Sequence, residues 1–326
     1  MQQTAANAFL GKYVQPTGRV ARLDQGNDTV SEGQAYGMLL AEVAGRPAIV
    51  RRIWQWTRVH LQDGKGLFAY HASPSGHVLD SQPASDADVL IAWALLRYSG
   101  PGAAPLHAAG HQVAGAVLAR EIASGPHGMP VLAAGPWAIG QPASLNPSYW
   151  ALPAFSALAN LTQNPQWRRL ASTAVTLTSQ VTGHGKLLPP DWAAMNGAGT
   201  VRAEPAPSGA QPQTQYGLDA QRTVAWFAAS CDPQARALAG RWWRLLGAAG
   251  RPQAIALKTD GAVINGAAAP LALVASASAA RAAGDQAASR TLLRKASHQQ
   301  HAAPTYYGSA WAALGAALQA GTLSGC

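Results

Sequence analysis

The stretch Ala84-Ser85-Asp86-Ala87-Asp88-Val89-Leu90-Ile91-Ala92-Trp93-Ala94-Leu95-Leu96 sets two carboxylates directly ahead of an unbroken apolar run. Alanine and leucine dominate it, as they dominate the other periodic segments of the chain, and this composition favours a buried helix. Asp86 is well placed to precede that helix and accept free backbone N–H groups of its first turn. On an isolated Asp-x-Asp, capping is the better explanation, because helix caps are far commoner than catalytic carboxylates. Two more sites of the same kind alter that balance.

The first is Val30-Ser31-Glu32-Gly33-Gln34-Ala35-Tyr36-Gly37-Met38-Leu39-Leu40. Ser31 reads as an N-cap, with Glu32 in the first turn. Gly33 and Gly37 are poor choices for an inner turn if stability alone mattered, and they would let a substrate approach the backbone. The second is Tyr216-Gly217-Leu218-Asp219-Ala220-Gln221-Arg222-Thr223-Val224-Ala225-Trp226. Asp219 and Arg222 are helix neighbours and form an intrahelical ion pair on the plainest reading. A guanidinium that orients a carboxylate at a helix mouth is the functional one. Three carboxylates at the starts of three apolar helices can meet at one end of a helical assembly. Glycoside hydrolysis by inversion needs two of them, one protonated and one ionised, on opposite sides of a sugar ring.

Helical segments are expected to begin near Ala6, Glu32, Ala48, Asp86, Ala108, Ser148, Trp167, Asp219, Gln234, Ala269, Gln286 and Ser309, separated by Gly, Pro or Asn breaks. About twelve helices in 326 residues suit an all-α ring of helix pairs better than a four-helix bundle. Long connections are expected between Gly183 and Tyr216 and between Asp63 and Asp80, with Met195 to Gln215 read as a loop near Asp219.

Several of these segments carry a family likeness. Ser31-Glu32-Gly33-Gln34-Ala35-Tyr36-Gly37-Met38 resembles the acid-bearing motif of glycoside hydrolase family 8, and Ala84-Ser85-Asp86-Ala87-Asp88 through Leu96 resembles its signature segment. Asn146-Pro147-Ser148-Tyr149, Pro190-Asp191-Trp192 and Asp219-Ala220-Gln221-Arg222 look like its other landmarks, in the family's order. Within the family the chain looks most like the bacterial cellulose-synthesis-associated cellulases, sharing Leu79-Asp80-Ser81 and Tyr306-Tyr307. Tyr98 and Gly102 depart from the signature's later positions, and Gln221 stands where an aliphatic residue is expected.

The resemblance implies an (α/α)6 barrel over residues 1–326, a single catalytic domain with its acids at one rim. It implies Glu32 as general acid, Asp219 as the base that activates water, and Asp86 as the group holding the sugar beside the cleaved bond. Tyr149 and Arg222 would complete the polar shell beside Asn146. Apart from the family likeness, the apolar faces of sugar rings need aromatic platforms, which makes Tyr36, Trp93 and Tyr307 further substrate-binding candidates. Trp137, Trp150 and Trp192 are candidate stacking platforms, and Phe68 and Tyr70 stand where relatives often carry a stacking Trp. The implied activity is an inverting endo-β-1,4-glucanase linked to cellulose biosynthesis. A xylanase, a mixed-linkage glucanase or a non-catalytic glycan-binding toroid are the alternatives. The expected partners are a β-glucan chain and a bacterial cellulose synthase complex, and the chain is expected to act as a monomer.

Composition narrows the remaining classes. With 48% hydrophobic and 12% charged residues, the chain can bury a sizeable core and is not disordered. A net charge of +9 raises nucleic-acid binding, but the basic residues are scattered and form no recognisable DNA-binding motif. A basic enzyme would repel cationic chitosan, so a neutral glucan is the easier substrate. No apolar run is long enough to cross a membrane, and no signal-like start is present, so a secreted or periplasmic enzyme is expected with its leader already removed. Cys231 and Cys326 could pair in an oxidising compartment. No cofactor or metal is expected: the histidines are mostly dispersed, and His107 and His111 lack the glutamate and third ligand of a zinc site.

Overall fold

The structure is a computed structural model that describes residues 2–248, 250 and 252–325. Twelve α-helices account for most of the described residues: α1 Gln2–Tyr13, α2 Ser31–Val43, α3 Pro47–His60, α4 Ser85–Arg97, α5 Ala103–Arg120, α6 Leu152–Thr162, α7 Gln166–Val181, α8 Leu218–Ala228, α9 Pro233–Ala248, α10 Pro270–Ala282, α11 Gln286–Ala302 and α12 Tyr306–Gln319. The even-numbered helices form an inner ring, α2 to α4 to α6 to α8 to α10 to α12, closed by contact of α12 with α2. Each odd-numbered helix packs outside this ring, α1 against α12 and α2, and the others against the helix that precedes them. The expected (α/α)6 arrangement is thus present.

Sequence explains the division into layers. Inner helices are apolar on every face because they have neighbours on every face: all of Ser85 to Leu96 is buried in α4. Outer helices carry one stripe. In α3, Val50, Ile53, Trp54 and Thr57 recur at helical spacing and are buried, while Arg51, Arg52 and Arg58 face solvent. Prolines at the first position of α3, α9 and α10 cost no hydrogen bond and preset the backbone. Beyond α2 and α10 the chain turns at Gly45 (φ +65°) and Gly284 (φ +87°), a left-handed conformation that glycine adopts without strain.

Among the described residues, ten short strands decorate the rim where the inner helices begin. Thr29–Val30 (β1), Ala69–Ala72 (β2) and Val78–Pro83 (β3) form an antiparallel sheet that feeds α2 and α4. Ile122–Ser124 (β4) pairs with Pro130–Leu132 (β5). Ala143–Leu145 (β6), Trp192–Met195 (β7) and Val201–Glu204 (β8) form a second three-stranded sheet, and Ala254–Leu257 (β9) pairs with Val263–Ala268 (β10) ahead of α10. Both connections expected to be long hold strands, β2 and the start of β3 in one and β7 and β8 in the other, so Met195 to Gln215, read as a loop, contains β8. Strands of four to six residues leave little periodicity to read, and between Gly183 and Tyr216 a Pro-, Gly- and Gln-rich composition hid them further.

Several local boundaries shift: α1 and α5 begin at Gln2 and Ala103 rather than near Ala6 and Ala108, and three further differences bear on the site. Asp86 lies inside the first turn of α4 rather than ahead of it, and its Oδ1 accepts only the Ala87 N–H. Val30, not Ser31, is the N-cap of α2, and the Ser31 hydroxyl finds no partner among the described residues. The helix expected at Ser148 is a single 3₁₀ turn, Pro147–Tyr149, and α6 starts at Leu152.

Candidate active site

Glu32, Asp86 and Asp219 occupy the first turns of α2, α4 and α8, so the ring brings three carboxyl groups to one rim. Arg222, one turn into α8 and buried, joins them. Its Nη1 donates to Glu32 Oε2 at 3.0 Å, to Asp86 Oδ2 at 2.7 Å and to the Tyr36 hydroxyl at 3.2 Å. Its Nη2 donates to Asp219 Oδ1 at 2.9 Å. The fixed fork of a guanidinium then keeps the bonded oxygens of Glu32 and Asp219 within about 8 Å of each other. That is compatible with the roughly 6.5–9.5 Å that leaves room for a water in an inverting site.

The shell around the acids is built from side chains far apart in sequence. Asn146 Nδ2 donates to Asp219 Oδ2 at 3.0 Å, while its own Oδ1 accepts from the Ser148 N–H and hydroxyl, which fixes the amide. Tyr149 lies under the Arg222 guanidinium, 5.4 Å from ring centroid to Cζ. Its ring meets Trp192 edge-on at 6.1 Å, and Trp192 in turn sits 6.4 Å from Trp137. Trp137 is 42% exposed with its Nε1–H donated to the Pro83 carbonyl, so an apolar ring face is held open to solvent at this rim. Half-buried Tyr307 lies within electrostatic reach of Arg222, Glu32 and Asp219.

Asp191, in the landmark segment Pro190-Asp191-Trp192, sits under α8. Its Oδ1 accepts the N–H groups of Gly217 (2.9 Å) and Ala220 (2.8 Å), and its Oδ2 accepts Gln215 Nε2 (3.0 Å). It caps the turn that carries Asp219 from outside that helix. No spacing rule links a capping carboxylate to a helix so distant in sequence, so the sequence held no signal for this.

Burial separates the acids. It pushes the Glu32 carboxyl up to about 7, with Arg222 opposing and Asp86 and Asp219 adding to the rise. Asp86 is also raised by burial, with Arg222 opposing. Asp191 is pushed up to about 7 by burial and by Asp219. A carboxyl that holds its proton near neutrality beside a second, more open carboxylate is the pairing that acid and base work requires. The side chains of Glu32 and Asp219 are 18% and 29% exposed and that of Asp86 is 5% exposed, so the first two are the more open of three acids at this rim.

Other expectations fail. Trp93 is buried, and Arg97 lies over its ring while bonding the Thr322 carbonyl beyond α12, at the rim opposite the acids. Trp150 is buried with its Nε1–H on the Leu132 carbonyl, and Phe68 packs edge-on against Trp54. None of the three can stack on a ligand, whereas Tyr70 stays 36% exposed. Tyr36 is fully buried and contributes its hydroxyl rather than its ring face. Gly33 and Gly37 make room for the protein, not for a ligand: a Cβ would strike the Tyr306 hydroxyl in one case and Val20 and Ile53 in the other. Gln221 is buried and donates to the Ala254 and Ile255 carbonyls of β9, which an aliphatic residue could not do. Among the described residues no group of histidine, cysteine or acidic side chains is arranged to hold a metal.

Comparison with known proteins gives a consistent likeness. The profile of the family described as "Glycosyl hydrolases family 8" matches residues 1–321. A probable endoglucanase of Novacetimonas hansenii is 32% identical over 266 residues, covering 77% of this chain and 74% of that protein. The solved structure of endo-β-1,4-glucanase CMCax from Acetobacter xylinum superposes with a TM-score of 0.79 at 27% identity, covering 98% of both chains. That of a β-1,3-1,4-glucanase from Paenibacillus sp. X4 reaches 0.87 at 18% identity over 98% of this chain and 91% of the other, a likeness of fold alone.

Proposed function

Because the chain belongs to glycoside hydrolase family 8, we propose that it is an inverting endo-β-1,4-glucanase acting on cellulose or a soluble cellulose-like chain. The observation that carries this reading is the single buried guanidinium of Arg222 holding Glu32, Asp86 and Asp219 at one open rim. Glu32, protonated near neutrality, gives its proton to the glycosidic oxygen as the bond to the anomeric carbon breaks. A water on the opposite face of the ring forms the new bond to that carbon, and Asp219 takes its proton. Arg222 and Asn146 orient Asp219 through one oxygen each and leave lone pairs free for this transfer. Asp86 holds a hydroxyl of the sugar at the reacting centre, and Trp137, Trp192 and Tyr149 line the path of the chain.

The names of the relatives support a β-glucan as substrate. A role beside bacterial cellulose synthesis, with the synthase complex as partner of a monomeric enzyme, rests on the sequence resemblance alone. No described helix is long and apolar enough to cross a membrane. Cys231 is disulfide-bonded, which fits a secreted or periplasmic location; its expected partner, Cys326, lies outside the described residues.

Products released from carboxymethylcellulose, xylan, lichenan and chitosan test the substrate, and NMR of fresh hydrolysate tests the stereochemistry. Cleavage of carboxymethylcellulose with the α-anomer appearing first is expected. Exclusive cleavage of xylan would move the assignment within the family, and an initial β-anomer would reverse the role of Asp219. Binding to glucans without turnover of any of the four would point to a non-catalytic toroid.

A further inference from the structure

Asp88 and Glu121 are buried acids that the chemistry above does not use. Asp88 follows Asp86 by two positions in the first turn of α4, so its side chain leaves the helix on nearly the opposite side. Asp86 turns inward to Arg222; Asp88 turns outward, where its Oδ1 accepts the Phe68 N–H at 3.0 Å just ahead of β2. Glu121 closes the C-terminal end of α5 and is fully buried, as is Asp88. The two carboxyl groups lie within hydrogen-bonding reach of each other. Asp88 Oδ2 and both carboxyl oxygens of Glu121 receive no N–H or O–H from any other described residue.

Three buried acceptors without a donor would be costly, and two carboxylates side by side without a cation more so. The charged groups around the pair do not remedy this. Asp86 on α4 and Asp63 ahead of β2 are negative, and Arg120 on α5 is engaged with Asp63 at 3.1 Å. A proton on the pair supplies a donor between the two groups that no described side chain or backbone N–H supplies. Burial pushes both groups well above the ordinary carboxyl range, with Asp88 adding to the rise of Glu121 and the bond from Glu121 opposing that of Asp88, in agreement with this.

We propose that Asp88 and Glu121 share a proton and act together as positioning residues, locking the first turn of α4 so that Asp86 meets Arg222 and the sugar. The pair ties α4 to the end of α5 and to the chain entering β2. Its neighbours work in the same direction: the Ser85 hydroxyl donates to the Ala133 carbonyl at 2.6 Å, and the Ala133 N–H donates to the Glu121 carbonyl at 2.9 Å. The shared proton also spares the site a further buried negative charge directly behind Asp86.

The positioning role rests on the place given to Asp86 in the reaction, whereas the shared proton does not, so two readouts separate them. Infrared difference spectra at pH 7, taken in a Glu32→Gln background to silence that acid, compare the protein with and without the double change Asp88→Asn and Glu121→Gln. Loss of a protonated carboxylic-acid C=O band is expected; loss of carboxylate bands alone overturns the shared proton. Kinetics on the otherwise unaltered protein test the positioning. Glu121→Ala should lower kcat by at least about tenfold with KM little changed, as a displaced reacting group does, while Glu121→Gln, which carries its own donor, should restore kcat to within about threefold. Equal kcat in the two variants, or a change confined to KM, overturns the positioning role. Should the alanine variant not fold, a kcat of the Gln variant depressed tenfold in a folded protein would do so instead.

Discussion

Arg222 is the residue on which the site turns: it is buried, it bonds one carboxyl group from each of three helices, and its planar fork cannot be reproduced by a lysine point charge. Glu32 shares that arginine and yet is pushed up to about 7, because burial outweighs the attraction. Two outcomes follow from its position. Glu32→Gln should lower kcat by roughly 10²–10⁴-fold, the usual worth of general-acid help. Its thermal midpoint should stay close to that of the parent, since an amide oxygen can still accept from Arg222; full activity would remove Glu32 from the reaction. In the parent, kcat/KM should fall as pH rises through about 7, because the acid loses its proton there. Steady-state profiles on a soluble glucan measure this limb, and a rate that holds level well above pH 7 would contradict it.

Among the elements, α8 carries both Asp219 and Arg222, and its first turn is held from outside by Asp191, 29 positions before Ala220. Asp191→Ala leaves the Gly217 and Ala220 N–H groups buried without an acceptor, so a loss of about 1–3 kcal/mol per group is expected, read by denaturant titration. Turnover should drop with it, because the same turn presents Asp219. Asp191→Asn keeps an acceptor for both N–H groups and should stay far closer to the parent in stability and rate. If the alanine variant matched the asparagine variant, the cap would be irrelevant to α8. The three helix starts bearing acids were legible because each acid stands at a change from polar to apolar sequence. Asp191 was not, since a cap lent by another segment follows from the closure of the ring and leaves no mark at the helix it serves.

For the molecule as a whole, the raised acids set the direction of the pH dependence of folding. Glu32 and Asp191, both about 7 in the folded chain, hold protons there that they release near 4 when unfolded. The folded state therefore binds more protons between those values, and the stabilisation they contribute is complete below about 4 and lost as pH rises through about 7. Asp28 and Asp63 act at the other end. Burial would raise both, but the bonds from Arg22 and His71 to Asp28, and from Leu67, Lys65 and Arg120 to Asp63, bring them below the ordinary value. Their contribution is present above about 4 and is lost as pH falls through their folded values. Thermal melts should thus show a higher midpoint at about pH 5 than at about pH 8, and a midpoint rising steadily across that interval would contradict the assignment of the buried protons.

The number and order of the helices, and the site acids at three of their starts, are legible in the chain, because apolar period and helix-terminal residues are local properties. The sequence also carried the family likeness through motifs that are short and contiguous. Which aromatic residues face a ligand was decided only by the tertiary structure. Trp93 and Trp150 are in the core while Trp137 is at the rim, and α4 is buried on every face, so no periodicity marks an outward side. The meeting of Asp88 with Glu121 belongs to the same class. Both acids stand in plain view in the chain, and only the packing of α4 against α5 brings them together in the interior, where a carboxyl group without a cation has to keep a proton.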